Sequence, residues 1–215
     1  MFGVLYKICM EEFLKIYSVS NEAKDLLYRY VSLLVDWQNK MNLVSPKSLQ
    51  NVWIRHVADS YQLYQHLNAD TKVVCDIGSG AGFPAIVLAI CSLSDHRRTQ
   101  FKLIESITKK TLFLNEVKNQ LGLKNVEIIN DRSENLRLKP ADVVTARAVA
   151  ELSKLFCFAL PLINVNTVLL FPKGKSYTQE LRDAKVQWSF NFDIVQNQIE
   201  PEGVVLRITN LRKKG

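Results

Sequence analysis

The stretch Val73-Val74-Cys75-Asp76-Ile77-Gly78-Ser79-Gly80-Ala81-Gly82-Phe83-Pro84 decides the fold class. Its first five residues are mostly apolar and predict a short buried strand, while helical spacing begins after the proline. Glycine at 78, 80 and 82 permits backbone dihedral angles that other residues avoid and lets backbone amides approach a ligand. A glycine-rich turn from strand to helix is typical of the carboxyl edge of a doubly wound sheet, where such folds bind nucleotides.

Beyond residue 71, short apolar runs alternate with helical stretches, which predicts a parallel sheet with helices on both faces. Only Glu200-Pro201-Glu202-Gly203 joins the last two runs, which is too short for a crossover helix, so these strands are expected to pair antiparallel. The predicted fold is α/β, with a mostly parallel seven-stranded sheet and one antiparallel strand. The predicted strands are 72–77, 101–105, 126–130, 142–145, 168–171, 193–199 and 204–209, and the predicted helices are 84–92, 109–121 and 152–160.

The first seventy residues are predicted to be helical. We expect 1–70 to be an N-terminal helical extension packed on the sheet domain of 71–215, the two forming a single structural unit. Apolar residues recur at helical spacing from Ala23 to Trp37 after a capping Ser20. Ser45-Pro46 predicts the start of a further helix that runs through Leu67. Another short amphipathic helix is predicted from Leu5, Ile8, Phe13 and Ile16.

The composition excludes several classes of protein. With 215 residues, of which 47% are hydrophobic and 23% charged, the chain resembles an ordinary globular protein. Its four cysteines form no CxxC pair, which argues against a disulfide framework and against a metal site. The longest apolar run is about half a membrane span, and charged residues interrupt the N-terminal segment where a signal peptide is apolar. We therefore expect a cytoplasmic protein without a membrane segment.

The net charge of +7 is unevenly distributed. Basic and acidic residues balance over 1–70, so 71–215 carry the whole positive excess. Such an excess favours a polyanionic partner, because lysine and arginine that neutralise phosphates release counterions. A merely basic enzyme without such a partner is the alternative.

Acidic residues near the glycine turn indicate the cofactor. The spacing is G-x-G-x-G, whereas the dinucleotide fingerprint is G-x-G-x-x-G. Asp76 repels a pyrophosphate but suits the sulfonium and amino groups of S-adenosyl-L-methionine. Glu105, at the end of the second strand, is placed to accept the ribose hydroxyls. After the third strand, residues 131–134, with Ser133 and Glu134, are placed to frame the adenine, so three successive strand ends predict S-adenosyl-L-methionine.

Motifs that the sequence lacks exclude several classes of methyl acceptor. No Asn/Asp-Pro-Pro-aromatic turn for an exocyclic amine follows the fourth strand, and the cysteines lie in apolar stretches unsuited to a nucleophile. Guanine N7 remains among the acceptors, and it needs alignment and charge stabilisation but no general base. Arg132 and Arg147 follow the third and fourth strands and are predicted to orient cofactor and guanine. An ion pair with Glu134 or Asp131 is the alternative for these arginines.

Further basic residues are candidates for contact with the substrate. Lys173 follows the fifth strand and is predicted to reach a phosphate or the base, or else to be a solvated turn lysine. His56 shares a helical face with Asp59, and it is either a substrate contact or a structural histidine.

Together these residues resemble the bacterial 16S ribosomal RNA (guanine-N7) methyltransferase G family, also called the glucose-inhibited division protein B family. The resemblance implies a Rossmann-like methyltransferase fold and methylation of one guanine N7 in 16S rRNA of the small ribosomal subunit. It also implies a cytoplasmic monomer that uses S-adenosyl-L-methionine and no metal. The segments that carry it are 37–43, 55–60, 76–84, 105–106, 109–110, 145–148 and 173–174.

Matching positions imply roles for individual residues. Cofactor contacts fall on Gly78, Phe83, Ser133, Glu134 and Arg147, beside the contacts already inferred for Asp76, Gly80, Gly82 and Glu105. The substrate RNA is expected to meet Arg55, His56, Lys109, Lys110 and Lys173. The chain departs from the family at Glu105, where aspartate is usual, and at Ser133, where a small apolar residue is common.

Two other functions remain open from the sequence. One is a methyltransferase for a small molecule, which the basic central region disfavours. The other is an RNA-binding ribosome assembly factor with a vestigial cofactor pocket, which the intact Asp76 and the three glycines disfavour.

Overall fold

The computed structural model describes residues 10–215, so Leu5 and Ile8 of the predicted first helix lie outside the described residues. Seven strands form one sheet in the order β3-β2-β1-β4-β5-β7-β6. The strands are β1 (Val73–Ile77), β2 (Gln100–Ile104), β3 (Val126–Ile129), β4 (Val143–Ala146), β5 (Val168–Lys173), β6 (Trp188–Gln196) and β7 (Val204–Lys213).

Strands β1 to β5 run parallel, and β7 lies antiparallel between β5 and β6. The predicted α/β sheet, mostly parallel with one antiparallel strand, is confirmed. From β1 the chain first builds outward to β2 and β3 and then returns to add β4 and β5 on the other side. This reversal opens a crevice at the carboxyl ends of β1 and β4, which is where such folds bind ligands.

Local sequence signals account for three of the helix ends. The Ser20 hydroxyl accepts the Ala23 amide at the start of α1, Pro46 occupies the first turn of α2, and Gly122 ends α4 in the left-handed conformation at φ +66°. The helices are α1 (Asn21–Gln38), α2 (Pro46–Gln50), α3 (Ala85–Ser94), α4 (Thr108–Leu121), α5 (Leu152–Ala159) and α6 (Tyr177–Gln187).

Helix α6 and the start of β6 differ from the prediction. Helix α6 was missed because Leu181 and Ala184 are its only buried residues, which leaves little apolar periodicity. Strand β6 was predicted at 193–199 but begins at Trp188, whose side chain is buried between α5 and the sheet edge. Long-range packing therefore decides this boundary.

The helix predicted from Ser45 through Leu67 is broken. After α2, the chain forms a π-helix over Trp53–Ala58, one α-turn over Asp59–Tyr61 and a 3-10 helix over Gln62–His66. Such changes of pitch occur frequently at functional sites. Here they bury Trp53 while Arg55 stays at the surface.

Alternate residues of the strands point to opposite faces, and each face has its own core. One core holds the N-terminal helices together with α3 and α4, and the other holds α5, α6 and Trp188. Ile16 is half-exposed, contrary to the predicted apolar face. The first core includes Phe13, Leu27, Tyr30, Trp53, Val74, Ile86 and Phe113, so the helices before β1 bury the same apolar cluster as the sheet.

Candidate functional site

Two cavities open along the carboxyl edge of the parallel strands. The larger cavity, of about 780 Å³, lies beside β4, β5 and the helical segment that contains Arg55, His56 and Asp59. The smaller cavity, of about 280 Å³, lies at the ends of β1, β2 and β3. Val149 lines both. Predicted site residues divide between them: Arg55, His56, Arg147 and Lys173 line the larger cavity, and Gly78, Arg132, Ser133 and Glu134 line the smaller one.

The glycine turn is shaped by Glu105. One carboxylate oxygen of Glu105 accepts the Gly80 amide and the other accepts the Ile107 amide, each at 2.8 Å. The Glu105 side chain is therefore buried and ties β2 to the turn. Its contact with ribose hydroxyls stays a prediction. Gly78 has a φ of +64°, and a Cβ there would lie 2.7 Å from a methyl carbon of Val149.

Gly82 and Phe83 face the protein interior rather than either cavity. A Cβ on Gly82 would lie 2.6 Å from Ile86 Cγ1 and 3.0 Å from Tyr30 Oη. The Phe83 ring is buried between those of Tyr30 and His56. Their packing supports the turn, and their predicted contact with the cofactor stays a prediction.

Asp76 is buried beneath the glycine turn. Its Oδ1 accepts the Thr145 hydroxyl at 2.7 Å, whereas its Oδ2 has no hydrogen-bond partner among residues 10–215. Burial raises the pKa of Asp76 to about 7, although the hydroxyls of Thr145 and Ser79 and the charge of Arg147 oppose the rise. A buried carboxylate with one unpartnered oxygen fits a cationic ligand group, as expected from its place before the glycines.

Arg147 lies at the centre of the larger cavity's wall. Its Nη1 donates to Asp59 Oδ2 and to the Arg55 carbonyl, each at 3.1 Å. Its Nη2 lies 2.7 Å from His56 Nδ1, and the guanidinium lies over the Phe83 ring, 5.2 Å from its centroid. These contacts use three of the five N–H donors, so Nε–H and one Nη2 hydrogen remain for a ligand.

The ion-pair partner of Arg147 is therefore Asp59, and the alternative pairing with Glu134 or Asp131 is wrong. Asp59 also accepts Asn197 Nδ2 at 2.9 Å and Gln62 Nε2 at 2.8 Å. Sequence reasoning missed Asn197, because nothing local marks a residue after β6 as a neighbour of β4. The helical spacing of His56 and Asp59 was the available signal for Asp59.

His56 is held as a neutral ring. It stacks on Phe83 with centroids 4.9 Å apart and an interplanar angle of 19°. Burial lowers the pKa of His56 to about 3, with further lowering by the charges of Arg147 and Arg55. The ring is therefore uncharged at neutral pH and lies beside Arg147 in the cavity wall.

Lys173 and Arg55, the remaining basic candidates in the larger cavity, differ in burial and in their ion-pair partners. Lys173 Nζ is buried and donates to the Ala150 carbonyl at 2.8 Å and to Glu180 Oε2 at 2.6 Å, so it is not a solvated turn lysine. Arg55 is exposed and forms an ion pair with Glu200 at the cavity rim.

Three other predicted residues lie outside the larger cavity. Lys109 and Lys110 lie in the first turn of α4, outside both cavities. Arg132 lines the smaller cavity and has no ion-pair partner among the residues that the structure describes.

Residues 10–215 hold no group of three or more His, Cys, Asp or Glu placed to bind a metal ion. None of their helices is long and apolar enough to cross a membrane. Burial raises the pKa of the Cys75 thiol to about 12, which disfavours the thiolate that a nucleophile needs.

Solved structures share the architecture of this chain. The ribosomal protein L11 methylase from Lactobacillus delbrueckii subsp. bulgaricus aligns with a TM-score of 0.56 at 13% identity, covering 75% of this chain and 79% of that one. M. jannaschii TYW2, crystallised in complex with AdoMet, aligns with a TM-score of 0.55 at 17% identity, covering 74% and 76%. At these identities the likeness shows the fold.

Sequence comparison extends over nearly the whole chain. The family model GidB, described as rRNA small subunit methyltransferase G, matches residues 23–202. Ribosomal RNA small subunit methyltransferase G of Ruegeria pomeroyi is 36% identical over 196 residues, covering 91% of this chain and 95% of that protein. The protein of the same name from Rhodospirillum centenum is 37% identical over 204 residues, covering 95% and 92%. This chain therefore belongs to the GidB family, the rRNA small subunit methyltransferases G.

Proposed function

We propose that this chain transfers the methyl group of S-adenosyl-L-methionine to N7 of a guanine in 16S rRNA of the small ribosomal subunit. The observation that carries the proposal concerns the five acidic side chains that line the larger cavity: three are held in ion pairs, and the other two, Glu151 and Glu202, are exposed. Asp59 pairs with Arg147, Glu180 with Lys173 and Glu200 with Arg55. The carboxylates next to Arg147, Lys173 and Arg55 are thus engaged, while Arg147 keeps N–H donors for a ligand, and this arrangement suits an acceptor that loses no proton, such as guanine N7.

The cofactor is proposed to lie along the strand ends from the smaller cavity to the larger. Ser133 and Glu134 would frame the adenine, and Gly78 would let the backbone approach the cofactor closely. Asp76 would face the sulfonium and amino groups of the cofactor. When bound, S-adenosyl-L-methionine supplies an electrophilic methyl group. Arg147 would orient the guanine through its two remaining N–H donors, so that the N7 lone pair points at that methyl group.

The RNA is proposed to approach over the rim of the larger cavity. Arg55 is exposed there, and Lys109 and Lys110, in the first turn of α4 and outside both cavities, are proposed as a separate contact with the RNA. We place the reaction in the cytoplasm, performed by a monomer in which the helices of 1–70 and the domain of 71–215 act as one unit. A vestigial pocket is disfavoured by the polar groups that remain at Asp76 and Arg147.

The direct test supplies purified protein with labelled S-adenosyl-L-methionine and small ribosomal subunits that lack the modification. Digestion of the RNA is expected to yield label in 7-methylguanosine. Label in another nucleoside would keep the methyltransferase and overturn the acceptor. Absence of label, with cofactor binding shown by calorimetry, would favour the assembly factor instead.

Cofactor affinity is expected to increase with pH. The pKa of Asp76 is raised to about 7, and a cationic ligand binds the ionised carboxylate, so binding releases a proton below that pH. Raising the pH from 6 to 8 should therefore tighten the Kd about tenfold. Calorimetry at both pH values measures this change. The Asp76→Asn variant is the control, because it retains the ligand's own titration; an equal pH dependence in the variant would exclude Asp76.

Binding to the small subunit is expected to weaken steeply with salt. Each phosphate neutralised on single-stranded RNA contributes a slope of about −0.7 in log affinity against log salt. Replacing both Lys109 and Lys110 with alanine should make that slope shallower by about 0.7 to 1.4. Lys118→Ala, at the other end of α4, is the matched control. A salt slope unchanged by the double substitution would remove α4 from the RNA surface.

A further inference from the structure

The two nitrogens of the His56 ring have different surroundings. Nδ1 lies 2.7 Å from Nη2 of Arg147. A guanidinium is always protonated and only donates, so Nδ1 must accept this hydrogen bond. The neutral ring therefore carries its proton on Nε2.

The Nε2–H group is buried and has no hydrogen-bond partner among the described residues. Buried donors in native proteins are nearly always satisfied, so a partnerless one next to a cavity indicates a missing acceptor. The ring lines the larger cavity beside Arg147. Stacking on Phe83 fixes the plane of the ring, and therefore fixes the direction of this donor.

The position of the His56 ring also depends on two distant segments of the chain, the residues that follow β4 and those that follow β6. Asp59 accepts hydrogen bonds from Arg147, Gln62 and Asn197. The guanidinium that determines which nitrogen of His56 carries the proton is therefore itself held in place. Rotation of the ring to present Nδ1 would break the hydrogen bond to Arg147.

We propose that His56 Nε2–H donates a hydrogen bond to O6 of the target guanine and so selects guanine over adenine. The proposal rests on the proposed function. Guanine presents O6 and N7 side by side as acceptors on one edge, whereas adenine presents an amino group in place of O6. An adenine in the same pose would bring two donors together.

A neutral donor also suits the charge change of the reaction. The N7 lone pair forms the new N–C bond while the S–C bond breaks, and the electron pair of that bond stays on sulfur. No proton leaves the base, which becomes positively charged. His56 keeps its proton throughout and adds no positive charge to that of Arg147 beside the charged product, so it positions the base without taking part in bond formation.

Three substitutions at His56 separate the donor from the shape of the ring. In His56→Gln the side-chain amide nitrogen falls near the position of Nε2, and in His56→Asn it falls near Nδ1. His56→Phe keeps a ring on Phe83 but has no donor. We measure kcat and KM with small subunits lacking the modification and labelled S-adenosyl-L-methionine, the Kd of the cofactor, and thermal unfolding.

Turnover of His56→Phe and His56→Asn is expected to fall by tenfold or more, with the cofactor Kd unchanged. His56→Gln is expected to restore most of that loss, which a merely structural role would not explain. Wild-type turnover in His56→Phe, or a His56→Gln variant as slow as His56→Phe, overturns the proposal. If His56→Phe does not fold, the comparison of Gln with Asn decides. Failure of the wild-type protein to form 7-methylguanosine would instead remove the proposed function.

Discussion

Methyl transfer by Arg147→Ala is expected to fall at least a hundredfold below that of the wild-type protein. The guanidinium lies in the wall of the larger cavity, fixed by Asp59 and His56, with two N–H donors left for the substrate. Loss of one preorganised donor at a reacting centre costs about a hundredfold to a thousandfold in turnover. The variant also loses the contact that sets the donor state of His56.

Stability should change less than activity in this variant. Asp59 keeps the Asn197 and Gln62 amides as donors, so the loss of one partner is expected to cost about 1–3 kcal/mol. Single-turnover methylation and thermal unfolding measure the two effects separately.

Two further variants serve as controls for Arg147. Arg147→Lys keeps the charge without the fork and is expected to remain at least tenfold impaired. Arg207→Ala breaks an exposed ion pair with Asp193 and should leave turnover unchanged. Turnover within tenfold of wild type in Arg147→Ala would reduce Arg147 to a structural role.

Gly82→Ala is expected to be severely destabilising. The φ of +96° is strained for any residue with a Cβ, and the new methyl group would lie 2.6 Å from Ile86 Cγ1. Backbone strain costs roughly 1–2 kcal/mol and overpacking of a core roughly 1–3 kcal/mol. For a chain of this size, the sum of about 2–5 kcal/mol lowers the Tm by roughly 4–20 °C. Differential scanning calorimetry without cofactor measures the change.

Gly122→Ala is the matched control for this substitution. Gly122 also has a positive φ, of +66°, but a Cβ there would meet nothing within 4 Å. Only the backbone cost remains, about 1–2 kcal/mol, so the Tm should fall by only about 2–8 °C. Equal losses at the two glycines would mean that packing against Ile86 and Tyr30 contributes nothing.

Local pattern predicted most of the fold. The glycine turn, the short apolar runs and the four-residue connection before β7 were sufficient for the seven-stranded sheet with its antiparallel strand. Each of these signals acts over a few neighbouring residues, where backbone sterics and chain reach decide the outcome. The prediction was wrong where packing between distant residues determines the local structure, as at the start of β6 and in the π-helix of residues 53–58.

Local sequence was enough to bring Glu105, Arg132 and Arg147 to the carboxyl edge of the sheet, because each of them follows a strand. What those groups contact depends on how the whole chain folds. Asp59 and Asn197 are 138 residues apart, yet they share a hydrogen bond beside Arg147. Burial raises the pKa of Asp76 and lowers that of His56. Desolvation and long-range pairing depend on the whole fold, and no local spacing encodes them.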